Sequence, residues 1–103
     1  MLLIGDSLGA DGTSNAVQTT SPGKVWLLLS GGFSSQTVTL QYSVDRGATY
    51  ATLTVDGAEQ TFTATTMEQY ELPGGVWLRA DVSDGGTPTI DVRIGGHNVK
   101  SSS

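Results

Sequence analysis

Cysteine is absent from this chain, which removes both disulfide staples and thiolate metal ligands. A domain of 103 residues without staples must be held by one core, and area scaling gives it roughly 65% of its unfolded surface to bury. The lack of cysteine also fits folding in a reducing cytoplasm. Basic residues are scarce: five Lys and Arg stand against ten Asp and Glu, for a net charge of −5. That balance repels a phosphate backbone, so nucleic acid is not an expected partner. The only histidine is His97, and one imidazole makes no metal site. Long apolar runs are missing as well. Residues 1–4 are shorter than a signal-peptide core and lack a basic lead-in, and no stretch approaches the roughly 20 apolar residues of a membrane span. The expected protein is soluble, uncleaved and not tied to a membrane.

Glycine, threonine and serine are plentiful, with 14 Gly in 103 residues. Glycine and β-branched residues form helices poorly, and β-branched residues suit strands, so the composition points to an all-β chain. Residues 5–23 show neither a helical nor a strand period. They read as an extended N-terminal arm over 1–22, either disordered or docking on a partner. A β-sandwich domain is expected over 23–98, and a flexible C-terminal tail over 99–103.

Within 23–98, short apolar runs alternate with turn signals. Residues 24–30 are apolar at nearly every position from Val25 to Leu29, which marks a strand covered on both faces by the arm, a loop or another subunit. Residues 37–44 alternate strictly, with Val38, Leu40, Tyr42 and Val44 inward and Thr37, Thr39, Gln41 and Ser43 outward. Residues 49–55 continue with Ala51, Leu53 and Val55 inward. A short strand around Phe62 and another holding Tyr70 and Leu72 follow, before "PGG" stops the chain. Residues 76–82 put Val76, Leu78, Ala80 and Val82 inward and Trp77, Arg79 and Asp81 outward. Residues 89–94 put Ile90, Val92 and Ile94 inward. About seven such strands describe a small antiparallel β-sandwich, Ig-like or jelly-roll-like. If the last two strands form a hairpin, the favourable register sets Asp81 opposite Arg93.

Three motifs invite a chemical reading. "GDSL" at 5–8 resembles the nucleophile block of a serine esterase family, with Ser7 as the nucleophile. The family's Asp and His three residues apart are missing, since Ile94 precedes His97 by three, and a serine without a base is a weak nucleophile. "SVDRGATY" at 43–50 fits the Asp-box pattern of β-hairpins: the Asp45 carboxylate can accept backbone N–H groups within the turn, Gly47 can take positive φ, and Tyr50 can pack beneath. A structural turn is expected of Asp45, Gly47 and Tyr50. Asp-Gly pairs at 11–12, 56–57 and 84–85 read as turns, because no D-x-D-x-D spacing gathers calcium ligands. No catalytic residue, metal ligand or cofactor is expected, and the chain is not expected to be an enzyme.

The stretches "VTLQYSVDRGATY" and "YELPGGVWLRADVSDGGTP" together resemble a recurring type of small tailed-phage structural protein. The likeness runs through Val38, Leu40, Gln41, Ser43, Asp45, Gly47, Thr49 and Tyr50, then Tyr70, Leu72, Pro73, Gly74, Leu78, Arg79 and Ala80. It covers about half the chain. Arg46 stands where glycine is usual, and Tyr50 where tryptophan is. What the resemblance implies is a virion protein made in the host cytoplasm, a cement or decoration protein on the capsid surface, with the major capsid protein as partner. Self-association, expected as a homotrimer, would use Val25, Trp26, Leu27, Leu28, Leu29 and Trp77. The alternative is a carbohydrate-binding or adhesin module of a phage fibre, with Trp26, Trp77 and tyrosines stacking on sugar rings.

Overall fold

A computed structural model describes residues 2–8, 12–13, 16–32, 37–83, 89–96 and 98–101. These residues contain strands and turns and no helix. In chain order the strands are β1 (Leu2–Leu8), β2 (Gly12–Thr13), β3 (Val17–Thr19), β4 (Gly23–Gly32), β5 (Thr37–Ser43), β6 (Ala51–Thr52), β7 (Thr54–Val55), β8 (Ala58–Glu59), β9 (Thr61–Phe62), β10 (Thr66–Leu72), β11 (Trp77–Ser83), β12 (Thr89–Gly95) and β13 (Val99–Ser101). One sheet has the order β1-β12-β4-β10, and the other β13-β3-β11-β5-β6 with β2 also on β11 and β9 also on β5. All pairings are antiparallel.

The molecule is a small antiparallel β-sandwich, and its strand order is that of a jelly roll. Count β1, β3, β4, β5, the β6/β9 edge, β10, β11 and β12 as eight successive strands. The first sheet then reads first, eighth, third, sixth, and the second reads second, seventh, fourth, fifth. The core lies between the sheets. Val25, Leu27 and Leu29 of β4 and Ile90, Val92 and Ile94 of β12 come from one sheet, and Val17, Val38, Leu40, Leu78, Ala80 and Val82 from the other. This is the period-2 burial that the alternation of β5, β11 and β12 predicts.

Three sequence expectations are corrected here. First, β11 and β12 form no hairpin: they belong to opposite sheets, so Asp81 lies opposite Thr39 and Thr13, while Arg93 lies opposite Leu28 and Leu3. The ion pair of Arg93 is instead with Asp91, two residues earlier on its own strand, at 4.0 Å. Second, the segment expected as an arm supplies β1, β2 and β3, and the expected tail supplies β13. Backbone groups of β12 and β11 that would otherwise form open edges are paired by these strands. Third, residues 49–55 are not one strand. After Leu53 the chain leaves β5 for a projecting hairpin, β7–β8, turned by Asp56 (φ 52°) and Gly57 (φ 81°), the sign pattern of primed two-residue turns. It returns at Gln60, and three backbone bonds close the root: Leu53 to Leu40, Gln60 to Leu53 and Leu40 to Gln60, each 2.9 Å. Val44 and Val55 therefore sit in loop and hairpin and are 73% and 42% exposed.

Candidate functional site

The residues singled out for surface contact divide between the core and two opposite outer faces. On β4, alternation sends Val25, Leu27 and Leu29 into the core, where each is at most 1% exposed. Trp26 and Leu28 point to the outer face of the first sheet and are half-buried. Of the five consecutive apolar residues, then, only these two are placed for contact. Their cross-strand neighbours on that face are Gly95 and Gln69 for Trp26, and Arg93 and Met67 for Leu28. Met67 is 67% exposed and extends the apolar strip. Sequence reading does not single it out, because the strand is recognised there only by Tyr70 and Leu72; Met67 alternates with Gln69 and Glu71 along β10.

Trp77 lies on the other outer face, that of the second sheet, so it does not join Trp26. It pairs across the strands with Ser43 and Gln18 and forms a platform for the Asp-box hairpin. A Cβ added to Gly47 would lie 3.8 Å from Trp77 Cδ1 and 3.2 Å from the Tyr50 hydroxyl. The Arg79 guanidinium stacks 3.8 Å from the centre of the Tyr50 ring, and its Nε–H donates to Gln41 Oε1 at 2.8 Å.

The hairpin is wired as its motif demands. The Ser43 hydroxyl donates to Asp45 Oδ1 at 2.5 Å and accepts the Gly47 N–H at 2.9 Å. The Thr49 N–H donates to Asp45 Oδ1 at 3.0 Å, and its hydroxyl to Oδ2 at 2.5 Å. These bonds favour the ionised carboxylate and lower its pKa from 3.8 to about 2. Ser43 has outward parity yet is only 2% exposed, because the turn folds back over it. Arg46 and Gly47 take φ of 62° and 82°, so an arginine occupies a left-handed position where glycine would fit without strain.

One end of the sandwich carries a clasp that sequence reading did not find. The Thr19 hydroxyl donates to the Pro73 carbonyl at 2.8 Å and accepts the Val76 N–H at 3.0 Å. The Gly75 N–H reaches the Thr19 carbonyl at 2.8 Å. A Cβ on Gly74 would lie 2.9 Å from Ser21 Cα, so only glycine lets the chain pass here. Asn98, 5% exposed, donates from Nδ2 to the Ser21 carbonyl at 2.6 Å, and its own carbonyl accepts the Thr20 N–H at 2.7 Å. Thr19 lies in the segment expected as an arm and Asn98 is the last residue expected of the sandwich domain; no hydrophobic period marks either of them.

Ser7 lies within edge strand β1. His97, Asp11 and Asp84 fall outside the described residues. Among the described residues no group of three His, Cys, Asp or Glu could hold a metal. Comparison with protein-family models, with curated proteins and with solved structures finds no match to this chain.

Proposed function

We propose that the chain is a structural protein of a tailed-phage particle, seated on the outside of the capsid as a decoration or cement protein and self-associating there as a homotrimer. The observation that carries this reading is the outer strip of Trp26, Leu28 and Met67. The sequence left three possible covers for strand β4, and the nearest of them, the N-terminal segment, extends the sheet as β1 at its far edge. Met67 remains 67% exposed, so a second subunit is the favoured cover. The fold adds an analogy: jelly rolls are a common architecture of viral shell proteins, although a fold by itself assigns no function. Binding only the assembled shell would stabilise it by mass action.

The test pairs sedimentation of the purified chain with its binding to capsids that lack it. The wild type should associate in the micromolar range and co-sediment with capsids. Met67→Glu should keep the strand spectrum of the fold and shift association by at least about tenfold, because it places a charge in the strip. A wild-type chain that stays monomeric at every concentration and ignores capsids would overturn the reading.

A further inference from the structure

At the clasped end of the sandwich, the outer face of the first sheet ends in a hollow of about 320 Å³ lined by Ser21, Pro22, Gly23, Lys24, Trp26 and Asn98. That volume is at the lower end of the roughly 300–1,000 Å³ typical of small-ligand sites. From its lining we infer that the hollow is a binding subsite for one neutral pyranose ring of a glycan. This assignment does not rest on the capsid reading, although Trp26 belongs both to the hollow and to the strip that would meet another subunit.

The walls have two characters. Trp26 and the Pro22 ring supply apolar surface, and the indole has a glycine, Gly95, as its neighbour on one side. With no side chain there to compete, the indole has room to lie along the sheet. Ser21, Lys24 and Asn98 supply the polar part, and the clasp braces it before any ligand arrives. The Asn98 amide is bonded to the Ser21 carbonyl, and the Thr20 N–H and hydroxyl both reach the Asn98 carbonyl, at 2.7 and 3.3 Å. A braced rim loses little entropy on binding.

Charge and polarity narrow the ligand class. Among the described lining residues Lys24 is the one cation, and Glu71 sits directly across from it on β10. A phosphate or carboxylate ligand beside Lys24 would also meet the negative charge of Glu71, which the register sets opposite, and would gain little. A wholly apolar ligand would cover the ammonium without giving it an acceptor. A sugar ring answers both halves: its C–H face removes apolar area against the indole, and its hydroxyls accept from the Lys24 ammonium and exchange hydrogen bonds with the Ser21 hydroxyl. A shallow single-ring site of this kind binds in the millimolar range, and copies clustered on a surface would multiply it.

The full nitrogen-labelled chain is titrated with glucose, galactose, mannose and N-acetylglucosamine, and the two indole N–H resonances, assigned with Trp26→Phe and Trp77→Phe, are followed. At least one sugar should shift the Trp26 resonance saturably and leave that of Trp77, on the opposite face, unmoved. Lys24→Ala, at an exposed rim position that does not endanger folding, should weaken that response several-fold. If no sugar moves the Trp26 resonance, if both indoles move together, or if Lys24→Ala binds as the wild type does, the assignment is wrong. Because Trp26 is shared with the proposed subunit contact, the titration is repeated on Met67→Glu, in which that contact is weakened; a Trp26 resonance that stays silent there sinks the sugar site without touching the capsid reading.

Discussion

Asp45 shows how one side chain can organise a loop that has no core of its own. Its two oxygens take three hydrogen bonds from Ser43 and Thr49 while the side chain stays at the surface. The folded carboxylate ionises at about 2 against an ordinary 3.8, chiefly through the hydroxyl of Ser43 and then that of Thr49. Because the folded pKa is the lower one, the contribution to stability is fully present above pH 4. It is lost as pH falls from about 4 to about 2. In Asp45→Asn that pH dependence should vanish. Denaturant melts of wild type and variant should differ most near neutrality and converge toward pH 2, and a gap that stayed constant would remove the carboxylate from the account.

At the scale of elements, the free edges are handled in different ways. β1 closes one end of the first sheet with register shifts after Leu3 and after Gly5, and such bulges spoil an edge for further pairing. β10 closes the other end in unbroken register with β4, but its inward-parity residue Glu68 is exposed and charged, which opposes the docking of another strand. The next inward residue, Tyr70, is buried and donates its hydroxyl to Gln60 Oε1 at 2.8 Å, tying the edge of one sheet to the root of the hairpin that projects from the other. Burial, with Glu68 adding a smaller push, holds the phenol protonated far above its usual pKa. The stability this confers is present below about pH 10 and falls as pH rises beyond it, since the unfolded chain ionises first. Tyr70→Phe should cost about 1 kcal/mol at neutral pH through the stranded Gln60 amide. The same variant should lose the alkaline part of the wild-type stability profile, measurable by melts between neutrality and pH 11. Strands such as β5, β11 and β12 were legible because each alternates cleanly over seven residues. β1 was not, because its bulges break the period, and β3 and β13 span only three residues each. Of the site, the Asp-box was legible since its residues are local in sequence. The hollow was not, because Ser21, Trp26 and Asn98 meet only through pairing of distant segments.

For the whole molecule, consecutive strands mostly change sheets: β4 to β5, β9 to β10, β10 to β11 and β11 to β12 each cross the sandwich. Partners are therefore distant in sequence, as when β4 receives β12 on one side and β10 on the other. Charge matching between sequence neighbours, which favoured Asp81 with Arg93, could not see this, because those strands never share an edge. The same topology makes the first strand structural. β12 contributes Ile90, Val92 and Ile94, each at most 1% exposed, and β1 is all that separates its backbone from the sheet edge. An arm would be dispensable for folding and needed only by a partner, whereas an edge strand would be needed by the fold itself. Deleting residues 1–8 strips several backbone hydrogen bonds from β12, each worth about 1 kcal/mol. The midpoint of thermal unfolding should then fall by at least about 10 °C for a domain of this size. The shortened chain should also aggregate on concentration, since it exposes seven residues of unprotected strand. Calorimetry on the two chains distinguishes the cases: an unchanged midpoint would return residues 1–8 to the role of an arm.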